Sequence, residues 1–283
     1  MLVLSARREN GLVLNAGPAK IFGIVNITED SFSDGGLYLR PERAIERARE
    51  HRRAGAFAVD IGAASSHPDA ERVSLEEEIR RLASVIPSLT KEGISVSVDS
   101  YHPEVQRFAM ESGADFLNDI QGFSERSIYP VLAAYGGRLI VMHSIQRNGP
   151  ADRTESDPQG IMDVIFRFFD DRIESMTGAG IDANRLILDP GMGFFLGTDP
   201  IVSVRVLQNI RAIKERFGLP VLVSVSRKSF LGNLTGRSVS ERGPSTLTAE
   251  LFAVDGGADY IRTHDTAALR DALLIQNILR KDP

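Results

Sequence analysis

Eight short apolar runs in this 283-residue chain each end in residues that can hold charge or hydrogen bonds. The endings are Asn26, Asp60, Asp99, Asn118-Asp119, His143, Asp189, Ser226-Arg227-Lys228-Ser229 and Arg262-Thr263-His264. One polar residue closing an apolar run means little, because a satisfied core Asn or Asp is common. Eight in succession point to one functional rim. The groups form two chemical sets. Asp99, Asn118 and Asp189 offer two carboxylates and an amide, which suits the edge of a flat heterocycle carrying N–H donors and a carbonyl. Arg262, His264 and Asn26 form the second set. Arginine and histidine suit an anion such as phosphate, and Asn26 could give an oxygen to a hard cation such as Mg²⁺. The chain has no cysteine, which removes thiol nucleophiles and thiolate-bound metals. It has five lysines (20, 91, 214, 228 and 281) against 28 arginines, so Lys228 inside a polar motif stands out.

The elements that must carry these residues follow from the spacing. The apolar runs cover 20–26, 57–62, 94–99, 115–120, 138–143, 185–190, 220–226 and 258–264. They are rich in Val, Ile and Leu without clean alternation, the pattern of strands buried on both faces of a parallel sheet. Amphipathic stretches lie between them at 41–54, 75–91, 103–112, 158–178, 200–217 and 265–280, several closed by glycine. Eight such units in one chain predict a (β/α)8 TIM barrel, which takes about 250 residues. An open doubly wound sheet would need a switch point in strand order. The first 19 residues read as a β-hairpin plug around Asn10-Gly11. Nothing marks an internal boundary, so residues 1–283 are expected to form one α/β domain.

Composition narrows the partners. The net charge is −5 with no basic run, which argues against nucleic acid. No stretch nears 18 uninterrupted apolar residues, and the N-terminus carries no secretory signal pattern, so the expectation is a cytoplasmic protein without a membrane span. Three loops lie on the predicted rim. Residues 28–36 are long and polar with a single Phe32, and residues 63–69 contain Ser65, Ser66, His67 and Pro68. Both read as substrate loops. The third, Gly191-Met192-Gly193-Phe194-Phe195-Leu196-Gly197, sets two aromatics between glycines, where they should line a pocket.

Read together, Ile24-Val25-Asn26-Ile27-Thr28 with Asp30-Ser31-Phe32-Ser33-Asp34-Gly35-Gly36, Val98-Asp99-Ser100, Asn118-Asp119-Ile120, Met142-His143, Asp189-Pro190-Gly191, Ser226-Arg227-Lys228-Ser229 and Arg262-Thr263-His264 resemble the dihydropteroate synthases over nearly the full length. That family joins p-aminobenzoate to 6-hydroxymethyl-7,8-dihydropterin pyrophosphate in folate biosynthesis, releasing pyrophosphate. The resemblance implies that Asp99, Asn118, Met142, Asp189 and Lys228 hold the pterin, with Asp99, Asp189 and Lys228 taking part in catalysis. It implies Asn26, Ser66, His67, Arg262 and His264 for the pyrophosphate, with Mg²⁺ on Asn26. Phe32, Ser66, Pro68, Phe194, Phe195, Lys228 and Ser229 would meet p-aminobenzoate. A homodimer is implied as well.

Two features depart from most of the family. His67 stands where an arginine is usual, and the 192–197 loop is about two residues longer. The long loop, with Gln121-Gly122-Phe123 and Ser229-Phe230-Leu231-Gly232, resembles the sulfonamide-insensitive resistance members, so insensitivity is an expectation here. Three other readings compete, one of them a non-catalytic pterin-binding protein. A methyltetrahydrofolate-binding methyltransferase domain would share the Asp/Asn/Asp set but has no use for Arg262 and His264. A Schiff-base aldolase would use Lys228 as nucleophile.

Overall fold

The computed structural model describes residues 19–27, 41–65, 72–146, 149, 151 and 153–280. The strands are β1 (Lys20–Asn26), β2 (Ala58–Gly62), β3 (Val96–Asp99), β4 (Phe116–Asp119), β5 (Arg138–Met142), β6 (Leu186–Asp189), β7 (Leu222–Val223) and β8 (Tyr260–Thr263). The helices are α1 (Pro41–Arg53), α2 (Leu75–Ala83), α3 (Ile86–Lys91), α4 (Pro103–Glu111), α5 (Tyr129–Ala134), α6 (Ile161–Gly178), α7 (Pro200–Gln208), α8 (Ile210–Phe217), α9 (Ser229–Thr235), α10 (Gly243–Asp255) and α11 (Thr266–Leu279).

All eight strands lie where the apolar runs predict them. They pair in parallel in the order β6-β5-β4-β3-β2-β1-β8-β7, with no switch point, so the open-sheet alternative is excluded. The ring closes between β6 and β7 through one bridge, Leu188 to Val221, where the Leu188 N–H donates to Pro220 O at 2.8 Å. The architecture is a nearly closed (β/α)8 barrel. Residues 1–18 of the hairpin expected over the first 19 lie outside the described residues.

Two predicted helices are split. The stretch 75–91 breaks into α2 and α3, because Pro87 has no N–H to give and its ring clashes with the carbonyl four residues back. Its first half starts well: the Ser74 side chain accepts from Glu77 N at 3.3 Å and Glu76, Glu77 and Glu78 fill the first turn. The stretch 200–217 breaks at Asn209, whose N–H reaches back three residues to Val206 O and whose side-chain Nδ2 donates to Arg205 O at 2.8 Å.

The barrel interior is filled in layers. Phe22, Ala58, Phe116, Ile140, Ile187, Leu222 and Tyr260 form a buried apolar plug. Phe22 meets Phe116 edge-on at 5.1 Å and Tyr260 at 5.6 Å. Toward the C-terminal ends the interior turns polar. Asp60 lies beside Ser97 in the ladder and Asp99 beside Asn118, while Arg262 is next to Phe22. A larger apolar shell between strands and helices, including Val59, Val98, Leu117, Val141 and Leu188, fixes the strands from outside.

Candidate active site

Period-two alternation places Asp60, Asp99, Asn118, Asp189 and Arg262 on the inner face of the barrel near its C-terminal rim. Arg262 donates from Nη2 to Asp99 Oδ2 at 2.8 Å and from Nε to Asp60 Oδ2. Asn118 Nδ2 donates to the same Asp60 oxygen at 3.3 Å. Four side chains from β2, β3, β4 and β8 are thus joined into one network. Asp60 is fully buried and Asn118 nearly so. Asp60 Oδ1 and Asn118 Oδ1 are buried acceptors with no partner among the described residues.

The rest of the rim supplies a second acid and a second cation. Asp189 ends β6, its Oδ1 taking the Gly191 N–H at 2.8 Å. Lys228 precedes α9 and lies over the Phe195 ring, Nζ 4.6 Å from the centroid. Burial pushes the Asp99 carboxyl up to about 7 against the opposing pull of Arg262. It lifts Asp189 to about 6 against the Gly191 N–H bond and Lys228. Burial lowers Lys228 to about 8, helped by Arg262 and opposed by Asp189 and Asp99. Three carboxylates therefore face two cations in a site shielded from water, where charge interactions are strong.

His264 sits beyond β8. Its Nδ1 lies 2.9 Å from Ser226 Oγ, which also takes the His264 backbone N–H at 3.2 Å. Burial, then Arg227 and Arg262, hold its pKa well below the usual range. A neutral ring accepting from Ser226 at Nδ1 carries its proton on Nε2. It can offer an anion a hydrogen bond but no charge. Asn26 ends β1, opposite Gly62 in the ladder, with Asp99 on the next strand. No group of three or more His, Cys, Asp or Glu with metal-site spacing occurs among the described residues. A single amide oxygen fits an ion that takes most of its ligands from water and substrate phosphates.

The loop after β6 is built from backbone constraints. Gly191 has φ +72°, and a Cβ there would lie 2.3 Å from His143 O. The Gly193 N–H donates to Ser203 Oγ at 2.9 Å, and Phe195 O takes the Ile145 N–H at 3.0 Å. Phe195 is consequently buried against Ile120, Met142 and Ala151, while half-buried Phe194 packs on the edge of that cluster. Ser229 opens α9, and a Cβ at Gly193 would lie 3.3 Å from its Oγ. Phe32, Ser66, His67 and Pro68 lie outside the described residues.

Two polar strand ends are structural. Asp119 accepts from Gln121 N at 2.7 Å and Gln106 Nε2 at 2.8 Å, and His143 Nδ1 is 3.2 Å from Pro190 O with its ring edge-on to Phe168.

The same architecture occurs in known proteins. A model of the family described as "Pterin binding enzyme" matches residues 22–264. Dihydropteroate synthase type-2 of Escherichia coli is 54% identical over 261 residues, covering 92% of this chain and 96% of its own. The chain belongs to the dihydropteroate synthase family. Dihydropteroate synthase of Xanthomonas albilineans with 4-aminobenzoic acid superposes with a TM-score of 0.85 at 35% identity, over 96% of each chain. The same organism's enzyme in complex with 7,8-dihydropteroate gives 0.81 at 34% identity, over 96% of this chain and 97% of that one. Type-3 of Escherichia coli is 51% identical, so the likeness to the numbered types extends beyond one relative.

As a dihydropteroate synthase, the chain is a transferase, and the methyltransferase and aldolase readings fall away. One site residue lacked a role in the sequence reading. Asp60 was visible as a polar strand end but belonged to neither chemical set. Its signal was its position two residues before Gly62, on the same inner face as Arg262.

Proposed function

We propose that the barrel mouth binds 6-hydroxymethyl-7,8-dihydropterin pyrophosphate on Asp99, Asn118, Met142, Asp189 and Lys228, and that p-aminobenzoate arrives beside Phe194, Phe195 and Ser229. The observation that carries this reading is the buried Asp60–Arg262–Asp99–Asn118 network with Lys228 and Asp189 across from it. It supplies acceptors for a donor-rich ring and cations for a leaving anion.

The reaction follows from those charges. The bond between the pterin methylene carbon and the pyrophosphate oxygen breaks, and its electron pair leaves with pyrophosphate. Arg262, held by two carboxylates, faces the departing charge, and His264 can donate from Nε2. Asp99 and Asp189 stabilise the positive charge left on the pterin methylene. The arylamine nitrogen attacks that carbon and then loses its proton to solvent. An arylamine meeting a cation needs no strong base, in keeping with a site built mainly of ion pairs. Mg²⁺, with one oxygen from Asn26, would neutralise part of the pyrophosphate charge. Mixing both substrates with Mg²⁺ and following pyrophosphate tests the assignment: release that depends on both substrates supports it, and no release overturns it.

Three further parts belong to this reading. Phe195, fixed under Lys228 and against Met142, narrows the aminobenzoate side and excludes the tetrahedral sulfone of sulfonamides while admitting a planar carboxylate. A second copy of the chain covers the apolar faces of α10 and α11, where Phe252, Leu274, Ile275, Ile278 and Leu279 are exposed. The reading also keeps the enzyme in the cytoplasm. Separately, no helix of the described residues is long and apolar enough to cross a membrane.

A further inference from the structure

The most buried acid of the site has no substrate contact of its own in the reading above. Asp60 is 0% exposed, and its Oδ2 takes two donors, Arg262 Nε and Asn118 Nδ2. A carboxylate oxygen can only accept. An asparagine has two chemically opposite ends of nearly the same shape, and which end points where is set by its neighbours. Beside Asp60, Asn118 must turn its NH2 inward, and this leaves Oδ1 as the unpaired end. Arg262 is fixed in the same way: Nε is spent on Asp60 and Nη2 on Asp99, leaving Nη1.

We propose that Asp60 is a positioning residue that sets which end of the Asn118 amide faces the substrate and holds the Arg262 guanidinium to its place in the barrel. The inference rests on the reading of Asn118 as a pterin residue and Arg262 as a pyrophosphate residue. With Oδ1 presented, Asn118 reads a ring N–H. Turned over, it would set N–H against N–H. Asp60 thus imposes a preference for a donor-bearing heterocycle from one layer below, and a site built to hydrogen-bond a group rejects the analogue that lacks it. The spare Asp60 Oδ1, close in the ladder to the equally unpartnered Ser97 Oγ, keeps this layer polar without competing for either donor.

The test uses the full chain and titrates 6-hydroxymethylpterin, which lacks the pyrophosphate, by calorimetry. Asp60→Leu has nearly the shape of the acid and no acceptor. It should bind the pterin at least about tenfold more weakly, the loss typical of a mispaired buried polar group. The aminobenzoate KM at saturating pterin pyrophosphate should stay within about twofold. Asp60→Asn, whose amide oxygen can replace Oδ2, should restore binding to within about threefold of the parent. In an Asn118→Ala background, Asp60→Leu should add less than about threefold, because the residue it acts through is gone. If Asp60→Leu does not fold, Asp60→Ala is read in its place. Unchanged binding in Asn118→Ala overturns the reading of Asn118, and the proposal with it. Weakened binding in Asn118→Ala with parent-like binding in Asp60→Leu overturns the proposal alone. So does a full loss on adding Asp60→Leu to Asn118→Ala, because that loss would be structural.

Discussion

At the residue scale, the site is a set of buried ionisable groups whose partners decide their charge. Glu250 of α10 shows the same physics away from the substrate. It is almost fully buried with Oε1 unpartnered, and burial pushes its carboxyl up to about 8 against a hydrogen bond from Thr263. The fold favours its protonated form, so this group stabilises the native state at low pH, and that contribution is lost as pH rises from the unfolded carboxylate range through about 8. Glu250→Gln cannot ionise. Its melting temperature should match the parent's near pH 5 and exceed it by a few degrees near pH 8, read by scanning calorimetry. A parallel shift at both pH values would refute the argument. Sequence showed which residue types converge but not which of them bind each other. Asp99, Asn118, Asp189, Lys228 and Arg262 were all visible as polar ends of apolar runs. That Arg262 spends two of its nitrogens on Asp60 and Asp99 depends on barrel stagger across β8, β1, β2 and β3, and no local pattern encodes that.

At the element scale, strands were easier to read than helices, for a physical reason. Each strand is buried on both faces and so announces itself as an apolar run. Helix α10 buries Thr246, Ala249, Glu250 and Ala253, a regular i, i+3, i+4, i+7 face, but two of the four are polar and hide the period. The helices also hold the site loops. Arg242, at the start of α10, donates from Nη1 to Arg227 O at 2.9 Å and Lys228 O at 3.4 Å, and from Nε to Arg237 O at 3.2 Å. It lies over Gly232 of α9, where a Cβ would come 2.1 Å from Nη2. A guanidinium end can move aside, so Gly232→Ala should fold with little change in melting temperature. It should lose about tenfold in kcat as the Lys228 loop is released, the scale of effect that a small misplacement can have. An unchanged kcat would show that Arg242 does not position Lys228. The loop after β6 carries a separate expectation. If the loop excludes sulfonamides, deleting two residues around Phe195 should strengthen inhibition by a sulfonamide in a variant that still forms dihydropteroate. An active deletion variant no more sensitive than the parent would show that this loop does not set the exclusion.

At the scale of the whole molecule, the exposed large hydrophobics of the described residues are densest on α11, with Phe252 on neighbouring α10. Leu279 is 80% exposed, and Leu274, Ile275 and Ile278 repeat at helical spacing beside it. Four exposed large aliphatics on one helix make a contiguous patch of the kind that marks an interface. Light scattering should give twice the chain mass for the parent and the single-chain mass for Ile275→Asp, with circular dichroism unchanged. A parent that runs as a single chain would remove the dimer from the reading.

The barrel closes at β6 and β7 through one bridge, and β7 contributes only two ladder residues. Both loops that flank this join, after β6 and after β7, carry site residues. A surface loop can lengthen anywhere on the rim at little folding cost. At the join the adjoining ladder is also short, so the wall can shift together with the loop. The weakest stitch in the wall is thus also the cheapest place for the protein to change what it admits: its capacity to acquire new selectivity is a property of where its sheet is incomplete.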